Sequence, residues 1–265
     1  MSSGTFSVEQ IRTGKFWLAL SGDMGWRFLS ELTLADSVTL ANAGLGFIAV
    51  VLAPTNPELA ARVILLAAVT DGIDGIIARH LGGSAVGPYL DSLADVSSFA
   101  IAPAVLLYVS LETMEFDHIG DTLTVTLALG VSLLFISCAV LRLGFYSAYD
   151  TAATKTVGAP TTLAATILAA SLLTLHAYPN VLIIGGIGLA LAMIAPITYP
   201  DLLARDALLM GAIHIMAVVQ PLYYGRIFPY ALVTLALAYL VLGPWLYWGE
   251  SERRLRPPSS KGKRS

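Results

Sequence analysis

The sequence predicts an all-α integral membrane protein, a bundle of about eight transmembrane helices behind an N-terminal interfacial segment. Three observations predict it. Hydrophobic side chains make up 56% of the 265 residues and charged ones only 12%, with a mean hydropathy of +0.75; a soluble domain carries roughly 25% charged residues. About eight runs approach the ~20 apolar residues a helix needs to cross the hydrocarbon, and Pro, Gly, Asn or charge clusters separate them. Runs such as VLIIGGIGLALAMIA and ALVTLALAYLVLG do not alternate in polarity, which excludes the strands of a membrane β-barrel.

Taken in order, residues 1–33 mix Phe16, Trp17, Leu18, Leu20, Trp26, Phe28 and Leu29 with Lys15 and Arg27, the composition of a cytoplasmic segment lying among lipid headgroups. No signal peptide is expected, because the first apolar run, Phe16 to Leu20, is short and is followed by Ser-Gly-Asp. Spans are expected at 34–53, 58–80, 86–111, 122–145, 158–176, 180–199, 203–224 and 228–248, forming one transmembrane domain over 34–248. The loop between the second and third is short and holds Gly82 and Gly83, so those helices are expected to be antiparallel neighbours. Pro196, Pro221 and Pro244 are expected to end or kink spans, and Trp245, Tyr247 and Trp248 to form an interface belt. Residues 249–265 combine basic residues with Pro257, Pro258 and serines, which reads as a disordered tail near anionic lipid.

Charge sets the orientation and excludes one class of partner. With 15 Lys and Arg against 18 Asp and Glu the net charge is −3, so no basic excess exists to neutralise phosphates, and nucleic acid is excluded as a partner. With the N-terminus inside, one side of the membrane receives Arg12, Lys15, Arg27, Arg79, Arg142, Lys155, Arg205 and the basic residues of the tail. Only Arg62 and Arg226 fall on the other, so both termini are expected to be cytoplasmic. Cys138 is the single cysteine; it cannot form an internal disulfide or a CxxC site and is expected to be a core residue. His214 is expected to be packed or hydrogen-bonded, and His80 to cap a helix end.

The informative stretch runs from Thr70 to Asp95, TDGIDGIIARHLGGSAVGPYLDSLAD. It puts Asp71, Asp74, Asp91 and Asp95 at membrane depth, where each ionised side chain costs at least ~2.5 kcal/mol at a helix centre. One nearby cation, Arg79, cannot neutralise four anions. Asp71 and Asp74 are spaced i,i+3 and Asp91 and Asp95 i,i+4, so each pair shares a helix face and the two pairs can converge. All-oxygen ligands favour hard divalent ions such as Mg²⁺ or Mn²⁺, and four carboxylates can hold two of them, an arrangement suited to phosphoryl transfer. Gly72, Gly75, Ala78 and Gly87 remove side-chain bulk beside the acids.

These residues resemble the signature of the CDP-alcohol phosphatidyltransferase family, Asp-x-x-Asp-Gly-x-x-Ala-Arg followed by Gly-x-x-x-Asp-x-x-x-Asp. Here Asp71, Asp74, Gly75, Ala78, Arg79, Gly87, Asp91 and Asp95 fill its positions. The resemblance implies that Asp71, Asp74, Asp91 and Asp95 hold two divalent cations. It further implies that Asp91 and Asp95 are catalytic, Asp95 as general base toward the acceptor hydroxyl. Gly75, Ala78, Arg79 and Gly87 would receive the nucleotide. Members transfer a phosphatidyl-type group from a CDP-activated lipid to an alcohol and release CMP. The resemblance also implies a homodimer among membrane lipids in the multi-pass cell membrane of a prokaryote, with a cytoplasmic active site.

Further segments resemble the serine branch of the family. Thr39-Leu40-x-Asn42-x-x-x-Gly46 is similar to that branch's first helix, and Leu141-Arg142-Leu143 to the end of its fourth. There the branch continues toward Arg-Phe-Asn, whereas this chain reads Gly144-Phe145-Tyr146-Ser147. Lys155 to Ala165 is similar to the branch's Gly-Leu-Pro-x-Pro-Ala-Ala-Ala region without its second proline. L-serine is therefore the expected acceptor, with Arg142, Lys155 and Asn42 as candidates to bind acceptor or phosphate. Glycerol 3-phosphate or inositol phosphate is the alternative, although a phosphorylated acceptor asks for more Arg and Lys than the bundle supplies. A divalent-cation transporter is the rival outside enzymology, but its acids should be spread over the membrane depth, and here they gather toward one face.

Overall fold

The computed structural model describes residues 32–113, 121–150, 155–174, 178–200, 204–221 and 226–246. The expected interfacial segment up to Glu31, the basic tail and the interface residues Tyr247 and Trp248 lie outside the described residues. Thr33 opens α1 (Leu34–Leu52) through a capping box: its hydroxyl accepts from the Asp36 N–H at 3.3 Å, and Asp36 Oδ2 accepts from the Thr33 N–H at 2.6 Å. Asn56 caps α2 (Pro57–Leu81) by accepting from the Leu59 N–H at 3.0 Å, with Pro57 at the first helical position. Next come α3 (Gly87–Asp95), a π-helical turn (Val96–Ile101) and α4 (Ala102–Glu112), which run on as one 26-residue rod. Pro103 explains the wide turn, because it has no N–H to offer the Phe99 carbonyl and an α-helical register there would orphan that oxygen.

Helix α5 (Asp121–Phe145) ends in a second π-helical turn (Tyr146–Asp150), and four further helices follow: α6 (Thr161–Thr174), α7 (Pro179–Ile194), α8 (Ala204–Val219) and α9 (Ile227–Leu246). Pro196 and Pro221 lie just past the ends of α7 and α8, and Pro244 within the last turn of α9. All eight expected rods are present among the described residues. Their ends differ in one place, where residues expected just before the fifth span and at the end of the sixth form an antiparallel ribbon. β1 (Lys155–Val157) pairs with β2 (Thr198–Pro200) in the register Thr156 opposite Tyr199. Gly158 makes the exit from β1 possible: its φ is +81°, and a Cβ there would stand 2.1 Å from the Met193 carbonyl oxygen. Its N–H donates to the Ile197 carbonyl at 2.8 Å, and the Ala159 N–H donates to the Ala192 carbonyl at 2.9 Å.

The ribbon shortens two helices. With 14 and 16 residues, α6 and α7 reach only ~21 and ~24 Å at 1.5 Å per residue, against the ~30 Å of a hydrocarbon core. Among the described residues, Leu34–Leu52, Gly87–Glu112, Thr122–Tyr149 and Ile227–Pro244 are each long and apolar enough to cross a membrane. Helix α2 is also long, but Glu58, Arg62, Asp71, Asp74 and Arg79 make it more polar.

Helix α6 is apolar all round and sits at the centre. Leu163, Ala164, Ile167 and Leu168 join a core with α4, α5 and α7, while Ala165, Ala169, Ala170 and Leu173 join another with α1, α2 and α8. Helix α1 shows how the outer rods pack. Ala35, Thr39, Asn42, Gly46, Ala49 and Ala53 recur at alternating steps of four and three and are buried, whereas Leu40, Phe47, Ile48 and Val51 are exposed. Small and polar residues thus face the protein and bulky apolar ones the lipid, as expected where packing rather than water exclusion joins helices. Cys138 is buried in the first core as expected, and His214 is satisfied by the Met210 carbonyl at Nδ1 (2.8 Å) and the Thr166 hydroxyl at Nε2 (3.2 Å).

The two arginines expected away from the other basic residues both serve helix ends. Arg62 Nε donates to the Val218 carbonyl of α8 at 2.7 Å, and Arg226 donates to the Leu173 carbonyl of α6. Tyr230 adds a hydroxyl to the Thr174 carbonyl at 3.1 Å. Cations there satisfy the last carbonyls of helices that end within the bundle.

Candidate active site

The site is built on the α2–α3 hairpin, and α1 holds both of its arms. Helix α2 stops at Gly82, whose φ of +89° lets the chain turn while its N–H still donates to the Ala78 carbonyl at 3.1 Å. Two residues on, the Ser84 hydroxyl donates to Asp36 Oδ1 at 3.0 Å, which ties the loop to the start of α1. A Cβ on Gly87 would stand 3.2 Å from the same oxygen, so the start of α3 approaches α1 closely. Farther along, the hydroxyls of Ser97 and Ser98 donate to the Ala43 and Asn42 carbonyls at 3.1 and 2.7 Å. Gly46 allows that approach, since a Cβ there would meet Ser97 and Ser98 atoms at 2.6–2.7 Å.

The hairpin brings three of the four expected carboxylates together. Asp71 of α2 and Asp91 and Asp95 of α3 each offer an oxygen, all within 4.8 Å of one another, and all three side chains are half-buried. Asp95 Oδ1 is buried without a hydrogen-bond partner among the described residues. Asp74 lies outside this set of three but near enough to Asp71 and Asp91 to act on both electrostatically. It is buried, and its Oδ2 lies 2.7 Å from the Thr39 hydroxyl of α1. Asp74 thus bridges the cluster on one side and Thr39 of α1 on the other.

Three converging carboxylates repel one another, and so dense an all-oxygen donor set fits a hard divalent cation.

The remaining candidates surround this centre unequally. Arg79 is exposed and folds back over Gly75, its guanidinium 3.3 Å from the place a Cβ would take. Gly72 has open space around it, so α2 offers bare backbone beside the acids at that position, whereas Gly75 lies under the Arg79 guanidinium. Ala78 is half-buried one turn on. Arg142 of α5 is buried, near enough to Asp95 to act on it electrostatically, and its guanidinium carbon sits 4.9 Å above the Tyr146 ring. Lys155 belongs to β1, but its side chain lies outside the described residues. Asn42 is fully buried between α1 and the first π-helical turn. His80 is exposed at the end of α2.

Asp36, Ser84, Ser97 and Ser98 position the hairpin and are not among the residues the sequence singles out. Thr33-x-x-Asp36 carried a legible capping signal. Ser97 and Ser98 carried none, because serine in an apolar helix reads the same whether it bonds its own helix or a neighbour.

The model of the CDP-alcohol phosphatidyltransferase family matches residues 32–198. The chain is 30% identical over 152 residues to an archaetidylserine synthase of Methanothermobacter thermautotrophicus, covering 56% of this chain and 61% of that one. It is 35% identical over 126 residues to a CDP-diacylglycerol–serine O-phosphatidyltransferase of Mycobacterium tuberculosis, covering 47% of this chain and 41% of that one. A Bacillus subtilis protein of the latter name is 31% identical over 166 residues, 62% of this chain and 87% of its own length. The match thus spans less than two thirds of the first two relatives.

Proposed function

The chain belongs to the CDP-alcohol phosphatidyltransferase family, and on that premise we propose that it transfers a phosphatidyl-type or archaetidyl group from a CDP-activated lipid to the hydroxyl of L-serine, releasing CMP. The observation that carries the reading is the convergence of Asp71, Asp91 and Asp95 in one apolar bundle. The names of the relatives support serine as acceptor.

In this reading Asp71, Asp91 and Asp95, with Asp74, hold two divalent cations, Mg²⁺ or Mn²⁺. Bound there, the cations neutralise charge on the diphosphate. Asp95 takes the proton of the serine hydroxyl as its oxygen bonds to the lipid-side phosphorus and the bond from that phosphorus to the CMP oxygen breaks. Gly75, Ala78 and Gly87 leave room for the nucleotide and Arg79 pairs with its phosphates. Arg142, with Lys155, receives the serine carboxylate, which asks for fewer cations than a phosphorylated alcohol. The domain over 34–248 carries the activity as a homodimer, with the carboxylate end of the bundle and both termini cytoplasmic.

CMP release from CDP-lipid by the purified chain, with Mn²⁺ or Mg²⁺ and with L-serine, glycerol 3-phosphate or inositol phosphate, tests this directly. Serine-dependent release that chelation by EDTA abolishes is expected. Release only with a phosphorylated alcohol overturns the acceptor, and no release with any acceptor overturns the activity.

A further inference from the structure

Asn42 has no exposed surface, and neither its Nδ2 nor its Oδ1 has a hydrogen-bond partner among the described residues. A buried carboxamide with both ends open is costly, and helix packing alone is served better by an apolar side chain of the same size. Its backbone carbonyl is already taken by Ser98, so the side chain is retained for something else.

The register of α1 shows what it stands beside. Helix α1 runs antiparallel to α2, and Thr39 meets Asp74; one turn deeper on α1 therefore lies level with one turn back on α2, at Asp71. Helix α1 runs parallel to α3, with Asp36 against Gly87 and Asn42 against Ser98, and Asp95 lies one turn before Ser98. By this register Asn42 lies level with Asp71 on one arm of the hairpin and one turn from Asp95 on the other. Asp95 Oδ1 is also buried and without a partner among the described residues.

We propose that Asn42 is a positioning residue for the carboxylate cluster, its buried carboxamide fixing Asp95 through one internal water molecule. The amide N–H donates to the water, and the water donates to Asp95 Oδ1, which satisfies two orphaned groups at once. Asp95 is then held with its other oxygen toward Asp71 and Asp91. Asn42 acts on the acceptor only through the cluster, from a position no soluble alcohol reaches. The inference rests on the reading that the cluster holds divalent cations, where outer partners of this kind set ligand orientation and affinity.

The test titrates Mn²⁺ into the purified full-length chain, following free Mn²⁺ by electron paramagnetic resonance, and measures thermal unfolding in EDTA. For Asn42→Leu the expected result is Mn²⁺ binding about tenfold to a hundredfold weaker, with the unfolding temperature in EDTA equal to wild type or higher. Asn42→Ser, which keeps a donor and frees volume for water, is expected to bind within a few-fold of wild type. Undiminished Mn²⁺ affinity in Asn42→Leu overturns the proposal, and so does a lowered unfolding temperature in EDTA for both variants, which would make Asn42 a packing residue. Failure of the underlying reading is distinct, because Asp91→Asn would then bind Mn²⁺ as wild type does.

Discussion

Asp74 and Asp91 belong to one sequence signature but sit in different surroundings, and substitution separates them. Asp91→Asn removes charge from the cluster and is expected to lower CMP release more than a hundredfold, since even outer-shell changes at metal sites cost roughly 10- to 100-fold. The unfolding temperature in EDTA should hold or rise as one of three repelling carboxylates is neutralised. Asp74 is reached through Thr39: Thr39→Val leaves a buried carboxylate without its hydroxyl donor and is expected to cost about 1–3 kcal/mol, read by thermal unfolding. Thr39→Ser keeps the donor and should stay close to wild type. A Thr39→Val protein as stable as wild type would show that the 2.7 Å contact contributes nothing.

At the scale of elements, the close approach of α1 to the π-helical turn after Asp95 holds the hairpin in register. Gly46→Val has no room, because the neighbouring atoms include the Ser97 backbone carbon at 2.7 Å. An overpacking cost of ~1–3 kcal/mol is expected, with Mn²⁺ affinity falling alongside stability because the same contact carries Asp95. Gly158→Ala acts at the ribbon, where it combines a left-handed backbone with a clash against the Met193 carbonyl. It should cost at least about 1 kcal/mol, seen as a lower unfolding temperature. If the ribbon is independent of the carboxylates, Mn²⁺ affinity will be unchanged.

Over the whole molecule, acids and caps divide the bundle into two unlike ends. The carboxylate cluster and the ribbon occupy one, and the Arg62 and Arg226 contacts to the ends of α8 and α6 occupy the other. If the carboxylate end is cytoplasmic, a cysteine placed at Gly83 in a Cys138→Ala background should be shielded from an impermeant thiol reagent in intact cells. One placed at Thr113, at the other end of the Gly87–Glu112 rod, should be labelled. The reverse pattern would invert the proposed orientation.

Much of this protein was legible before any tertiary contact was known. Eight rods follow from apolar runs, because a bilayer admits helical backbone and imposes its thickness on length. The hairpin of acids follows from spacing and a short glycine loop. The sequence could not show that Asp74 takes the Thr39 hydroxyl of α1, because i,i+3 and i,i+4 positions share a broad face and only a neighbouring helix decides what each acid meets besides its companions. Nor could it show that Lys155–Val157 and Thr198–Pro200 pair as strands, since three residues are too few to display a period until a partner across the bundle completes their hydrogen bonds. Local chemistry set the helices and the acids; the packing of α1 set how the two arms of the hairpin are held and which hydroxyl Asp74 meets.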